Sequence, residues 1–246
     1  MSRLGDALHK ALHTIPPAMG FRPSAPVKPH MALIAVFSEI PATAAWAQGA
    51  DAAMFDASLK PKELKSLTKI ISVPWGISLD GTSSRLAESA AADFVVFEPD
   101  KTGLDIISND NLGRIIVIEP SCDNTVLHSI GELPIEAIYL KRTPQDAFTW
   151  ADLIQCRRLA NLITKPLLIP IAPDTPPAHL KALWEAGVDG AVIAATEECS
   201  LADMRRIIDG LNLPTRRKWL RARPLVPLMA QVSPPTQHDE GEEDDE

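Results

Sequence analysis

One local pattern occurs four times along the chain: a short turn ending in an acid, followed at once by an apolar run. Gly49-Ala50-Asp51 leads into Ala-Ala-Met-Phe, Ala91-Ala92-Asp93 into Phe-Val-Val-Phe, Pro134-Ile135-Glu136 into Ala-Ile-Tyr-Leu, and Gly187-Val188-Asp189 into Gly-Ala-Val-Ile. The acids stand 42, 43 and 53 residues apart. One strand, one helix and their turns take roughly half of such a spacing. Each interval therefore has room for a second strand, and the repeat counts eight. Eight strands in 246 residues match a single closed (β/α)8 barrel, which takes about 250.

The strands predicted on this basis are Ala32–Phe37, Ala52–Phe55, Pro74–Leu79, Asp93–Phe97, Arg114–Ile118, Ala137–Leu140, Leu167–Ile171 and Gly190–Ile193. Most are continuous apolar runs, as expected of parallel strands buried on both faces. The segments between them read mostly as helices. Thr149 opens one, and Asp174-Thr175-Pro176-Pro177 supplies a cap and a first-turn proline for another, which Gly187 ends. Ser200 with Asp203 starts a third. Pro99 to Gly113 breaks the pattern with Gly, Asp and Asn where a fourth helix is due, and reads as a short helix or an irregular crossover. Residues 1–30 form an amphipathic helix, with Leu4, Ala7, Leu8, Ala11 and Leu12 on one stripe, and a Pro-spaced arm. Residues 31–213 are the barrel, and 214–246 are a Pro-rich basic segment and a disordered acidic tail. An open doubly wound sheet is the structural rival. Eight units with no Gly-rich phosphate loop after the first strand favour closure.

The net charge of −8 is misleading, because seven acids fall in the last eight residues and the rest carries 25 acids against 24 bases. A near-neutral body offers no nucleic-acid surface. No apolar run approaches the roughly 20 residues of a membrane span, and the N-terminus has no apolar signal region. Three cysteines without metal spacing make a reducing cytoplasm the default location. Arg216, Arg217, Lys218, Arg221 and Arg223 just before the tail form a solvated charged segment or a contact for a protein partner.

In such a barrel the active site lies at the C-terminal strand ends. Those positions hold Ser38 and Glu39, Asp56, Asp80, Glu98, Glu119 and Ser121, Lys141 and Arg142, Asp174, and Thr196 and Glu197. Each of the first five strands ends in a carboxylate and the sixth in two cations. Lys141, desolvated in the mouth, would be a nucleophile toward carbonyls. Glu119 and Glu98 would move protons to and from the carbinolamine, and Asp56, Ser121, Arg142 and Trp75 would bind substrate. A Lys141–Glu119 salt bridge without chemistry is the plain alternative. Glu39, Asp56, Glu98 and Glu119 as oxygen ligands for Mg²⁺ or Mn²⁺ is another. No histidine falls at a strand end, and no nucleophile elbow or P-loop is present. Gly76 beside Trp75 either admits a ligand or relieves crowding by the indole.

The segment from Lys165 to Ile193, with its Glu-Ala-Gly-Val-Asp-Gly-Ala-Val core, resembles the seventh strand, seventh helix and eighth strand of aldolase-type, phosphate-binding TIM barrels. The chain is also similar to a bacterial barrel family that shares its Met-Gly-Phe-Arg and Leu-Trp-Glu-Ala-Gly-Val-Asp-Gly segments and brings no activity with it. The first resemblance implies a lyase of the class I aldolase type, with Lys141 where Schiff-base barrels often carry their lysine. No cofactor and no resident metal are expected, and the ligand would be a small carbonyl compound or anion. The phosphate site of such barrels does not carry over, because strand seven ends Ala172-Pro173-Asp174 and strand eight ends Ala194-Ala195-Thr196-Glu197-Glu198. The alternative function is a catalytically silent barrel that binds or assembles through residues 214–246.

Overall fold

The computed structural model describes residues 2–13, 29–39, 47–56, 59, 71–79, 91–144, 147–195 and 200–214. They belong to one unit, Met1–Arg216; a second, Arg217–Glu246, lies outside the described residues, as do the expectations placed on the tail. Eight parallel strands form a closed barrel in sequence order. They are β1 (Ala32–Phe37), β2 (Ala52–Asp56), β3 (Trp75–Leu79), β4 (Phe94–Phe97), β5 (Gly113–Ile118), β6 (Ala137–Leu140), β7 (Leu167–Ile171) and β8 (Gly190–Ala194). The fold is a TIM barrel, as the sequence predicts, with strand ends displaced by one residue at most. The described α-helices are α1 (Arg3–Leu12), α2 (Asn124–Glu132), α3 (Trp150–Leu162), α4 (Pro177–Ala186) and α5 (Leu201–Gly210).

The four acids that mark the repeat explain the closure. Each stands immediately before β2, β4, β6 or β8. The backbone N–H groups of Asp51, Asp93, Glu136 and Asp189 donate to the carbonyls of Leu33, Trp75, Arg114 and Leu167, at 2.8–2.9 Å. Three of the side chains complete a second bond to the same residues. Asp51 accepts from Leu33 N–H at 2.8 Å, Asp93 from Trp75 at 3.0 Å and Asp189 from Leu167 at 2.8 Å. An N–H at the start of a buried strand, which would otherwise lack a partner, is thus satisfied by the acid of the next strand. Glu136 is one methylene longer and accepts from the Ser2 hydroxyl instead. Ser2 is the N-cap of α1, and Arg3 beside it reaches Asp93 at 3.1 Å.

Those contacts seat α1 across the N-terminal end of the barrel. Leu4, Leu8 and Ala11 pack with the inward residues Ala32, Ile34, Ala52, Phe94, Ile115 and Ala137. The alternate strand residues, including Leu33, Phe55, Trp75, Ile116 and Ile169, form a separate outer core beneath α2–α5. The registers give the barrel a shear of eight: following paired residues once round the sheet returns to β1 eight positions earlier. Eight is the value of this barrel class.

Two local expectations change and a third is resolved. The stretch Pro99–Gly113, a short helix or an irregular crossover by its sequence, carries a 3₁₀ helix, Leu104–Ser108. Arg114 holds it there: its buried guanidinium donates to the carbonyls of Ile106, Ile107, Asn109 and Pro134. Asp174 does not cap α4, whose N-cap is Pro176 with Pro177 at the first position. Gly76 serves neither a ligand nor the Trp75 indole. A Cβ there would lie 2.3 Å from the Phe94 ring and 2.5 Å from its carbonyl, so Phe94 fills the space that glycine leaves inside the barrel.

These contacts set the expected cost of two substitutions. Asp189→Ala leaves the buried Leu167 N–H without its carboxylate and lowers urea stability by about 1.5–3 kcal/mol. Gly76→Ala forces the Phe94 ring out of a packed layer and costs about 1–3 kcal/mol in the same assay.

Candidate functional site

With a shear of eight over eight strands, the level around the barrel axis advances by one residue per strand relative to the hydrogen-bonded register. Inward residues at one level therefore come from alternate strands. The registers put Asp56 of β2, Glu98 after β4, Lys141 after β6 and Ala194 of β8 at a single level, the mouth layer. Met54, Val96, Tyr139 and Val192 form the next even-strand layer below. Glu119 belongs to the odd-strand layer above. Lys141 accordingly pairs with Glu98, Nζ to Oε1 at 3.1 Å, across the end of β5. It does not pair with Glu119, its register neighbour. Lys101 from the following loop occupies the other Glu98 oxygen at 2.7 Å. The hydrogen bonds from Lys101 and then Lys141 hold the Glu98 carboxyl below its usual range. Half of the Lys141 side chain is exposed, at 52%. The desolvated lysine of the sequence expectation is thus a hydrated, ion-paired one.

Beneath Lys141 on the same face lies Tyr139, the chain's one tyrosine. It is half-buried, and burial pushes its phenol up to about 12, so the hydroxyl keeps its proton at neutral pH. No described residue bonds to that hydroxyl. Neither sequence pattern nor spacing marks Tyr139 or Lys101; only the layer geometry brings them to Lys141. Beside Lys141 the mouth layer is lined by Ala194, which is exposed, and Ala172 stands above it at the end of β7.

The other sequence-predicted residues separate. Asp56 shares the mouth layer and stands opposite Lys141, with Ser78 its register partner on β3. Trp75 is a correction: it is the first residue of β3, at the opposite end of the barrel, 1% exposed and edge-on to Phe55 in the outer core. Arg142 is also corrected. It follows Lys141 and so points outward; its side chain is 8% exposed. It donates to the Thr143 and Ala147 carbonyls, lies 4.0 Å over the Phe148 ring and reaches Asp152 at 3.6 Å. Arg142 thereby fastens the loop into α3, whose Thr149–Asp152 capping box starts that helix. Ser121 sits in the exposed turn before α2 and is not its cap, which is Asp123. The four carboxylates Glu39, Asp56, Glu98 and Glu119 do not assemble as a metal site. Among the described residues, no three His, Cys, Asp or Glu side chains gather to hold an ion. Asp80, Thr196 and Glu197 lie outside the described residues.

No protein-family model matches the chain, and no curated protein matches it. Likeness appears among solved structures, where 295 chains match. A mutant tryptophan synthase alpha-subunit from Pyrococcus furiosus superposes with a TM-score of 0.56 at 12% identity, covering 74% of this chain and 100% of its own. The tryptophan synthase complex from the same organism gives 0.55 at 12%, covering 74% and 98%. A protein from Aquifex aeolicus VF5 gives 0.55 at 9%, covering 84% and 96%. At these identities the likeness establishes the TIM-barrel fold alone. No described helix is long and apolar enough to cross a membrane.

The trio of Glu98, Lys101 and Lys141 has a titration signature. Followed by carbon NMR, Glu98 titrates below the usual 4.5. Lys101→Gln and Lys141→Gln each move its midpoint back up. The ion-paired arrangement is therefore complete above pH 4.5 and is lost as pH falls through the lowered value.

Proposed function

We propose that the mouth forms a Schiff base between Lys141 and a small carbonyl compound, the chemistry of an aldolase-type lyase. The observation that supports this reading is the 3.1 Å Lys141–Glu98 contact at the C-terminal barrel mouth, above the protonated phenol of Tyr139. Glu98 takes a proton from the Lys141 ammonium. The neutral amine attacks the carbonyl carbon, and the C–N bond forms as the C=O π bond breaks. Tyr139 protonates the oxygen and regains a proton from the nitrogen, which leaves a neutral carbinolamine. Glu98 then returns its proton to the departing hydroxyl. Water leaves, and the iminium forms with Glu98 again a carboxylate. The iminium is an electron sink for cleavage or formation of the adjacent C–C bond. Asp56, across the mouth layer, orients a substrate hydroxyl. Likeness to tryptophan synthase alpha-subunits, which shows the fold only, is compatible with this reading and does not choose the substrate.

A second reading, a non-catalytic barrel that binds a protein partner, draws on a different face. Trp150 and Ile154 lie one turn apart on α3 and are 82% and 66% exposed. Single exposed apolar residues are ordinary, and an adjacent pair of this size on one stripe is a weaker argument than the ion-paired lysine. The sequence also offers residues 214–246 for such a contact.

Borohydride trapping separates the two. Incubation with small aldehydes and keto acids followed by reduction should add the ligand mass to one peptide, that containing Lys141. Lys141→Arg should abolish the adduct, and Glu98→Gln should slow it by about 10²-fold or more. Absence of any Lys141 adduct across the ligand set would sink the Schiff-base reading and leave the binding module.

A further inference from the structure

The helices around the barrel change character between β4 and β5. Every residue of that crossover is described, and its helix is the 3₁₀ helix Leu104–Ser108, five residues long. The next helix, α2, has this short neighbour on one side and α3 on the other. Arg158 of α3 donates to the Asn124 side chain at 2.8 Å, so Asn124 marks the flank of α2 that faces α3. Val126 and Leu133 come two and nine residues later. At about 100° per residue both lie half a turn from Asn124, on the flank beside the 3₁₀ helix. The Arg114 guanidinium ties the two segments together there, donating to the Ile107 carbonyl at 3.0 Å and to the Pro134 carbonyl at 3.3 Å. A helix of ordinary length would cover this flank. Here Ile107, Val126 and Leu133 are half exposed and Leu104 is 80% exposed.

A second apolar strip stands on α3. Trp150, Ile154, Arg157 and Asn161 form one exposed stripe, opposite the buried Cys156 and Leu159. The two strips hold six of the seven large apolar residues that are exposed among the described residues. They differ in charge. Between Thr102 and Pro134 the exposed acids and bases are Asp105, Asp110, Glu119, Asp123 and Glu132, with His128 neutral at pH 7, so the bare flank of α2 lies in an acidic sector. The stripe on α3 carries a cation. Arg157 donates to the Glu185 carbonyl at 3.0 Å, a neutral acceptor that leaves its charge available. Within one chain the two strips cannot meet, because α2 stands between them.

We propose that a second copy of this chain covers both strips in a two-fold dimer. With the axis passing beside α2, the α3 stripe of each copy lies on the bare α2 flank of the other, where a helix is lacking. One operation pairs both strips and sets each Arg157 toward the partner's acidic sector, the self-complementary pattern of an isologous interface. The six apolar residues offer on the order of 500 Å² per chain. A standard interface takes about 800 Å² per partner, and the polar outer face of α2 at the axis supplies the remainder. The inference is independent of whether Lys141 forms a Schiff base.

Sedimentation of the full chain tests this. At about 10 μM the mass should be twice the 26.7 kDa of one chain. Ile154→Glu on the stripe and Leu104→Glu on the flank should each raise the dimer dissociation constant about 30-fold or more, with circular dichroism and thermal midpoint unchanged. Trp150→Ala, a milder change on the stripe, should act in the same direction. Mixing the Ile154→Glu and Leu104→Glu chains should give tighter association than either alone, because the mixed dimer keeps one undamaged stripe-on-flank contact. A chain that stays monomeric at every concentration overturns the inference and returns the stripe to a foreign partner. A dimer indifferent to Leu104→Glu, or a mixture that recovers nothing, overturns the pairing of stripe with flank. Masses that grow beyond two chains indicate an open head-to-tail contact and overturn the two-fold.

Discussion

Three aspartates placed one residue before an even strand hold the lower rim of this barrel. Each takes both hydrogen-bonding groups of a residue at the start of the preceding odd strand, through its own backbone N–H and its carboxylate. The pairing fixes the register of β2 on β1, of β4 on β3 and of β8 on β7. A slip of one residue would turn every side chain to the wrong face, so register sets which residues enter the lumen. Asp51 also receives His30 at 3.6 Å and Arg205 of α5. Burial alone would raise its carboxyl, but the His30 hydrogen bond, the Arg205 charge and the Leu33 N–H together lower it. Its contribution to stability is present above pH 3.8 and is lost as pH falls through the lower folded value.

The upper rim inherits its geometry from that register. Because the level climbs one residue per strand, side chains meet across alternate strands and skip the neighbour between them. Glu98 and Lys141 are 43 residues apart in sequence and two strands apart in the sheet, yet they share a layer. Glu119, directly beside Lys141 in the ladder, stands one level higher. The same rule takes Arg142 out of the mouth, since strand alternation turns it outward onto Phe148 and the loop carbonyls. The closed N-terminal end is likewise a consequence of the lower rim, where Glu136 and Asp93 anchor the first turn of α1 through Ser2 and Arg3.

Much of this was legible in the chain. The acid-led repeat counted the strands, and apolar continuity showed that they were parallel and buried. Thr149, Gly187 and Ser200 marked helix ends through local hydrogen-bonding chemistry that needs no tertiary context. Lys141 and Glu98 stood out as charged residues at strand ends. Other features were hidden because their causes are non-local. The 3₁₀ crossover depends on Arg114 reaching back to Ile106 and Ile107. Gly76 depends on a ring from the adjacent strand, and Trp75, a large residue next to a glycine, sits in the outer core at the far end from the mouth.

The sequence by itself determined the number of strands, their order and the chemistry available at their C-terminal ends, since these follow from spacing, apolar runs and side-chain type. Only the tertiary structure decided which of those charges meet. Closure with a shear of eight is a property of the whole sheet. It alone determines that Lys141 faces Glu98, that Lys101 shares the same carboxylate, and that Tyr139 lies beneath them in the lumen.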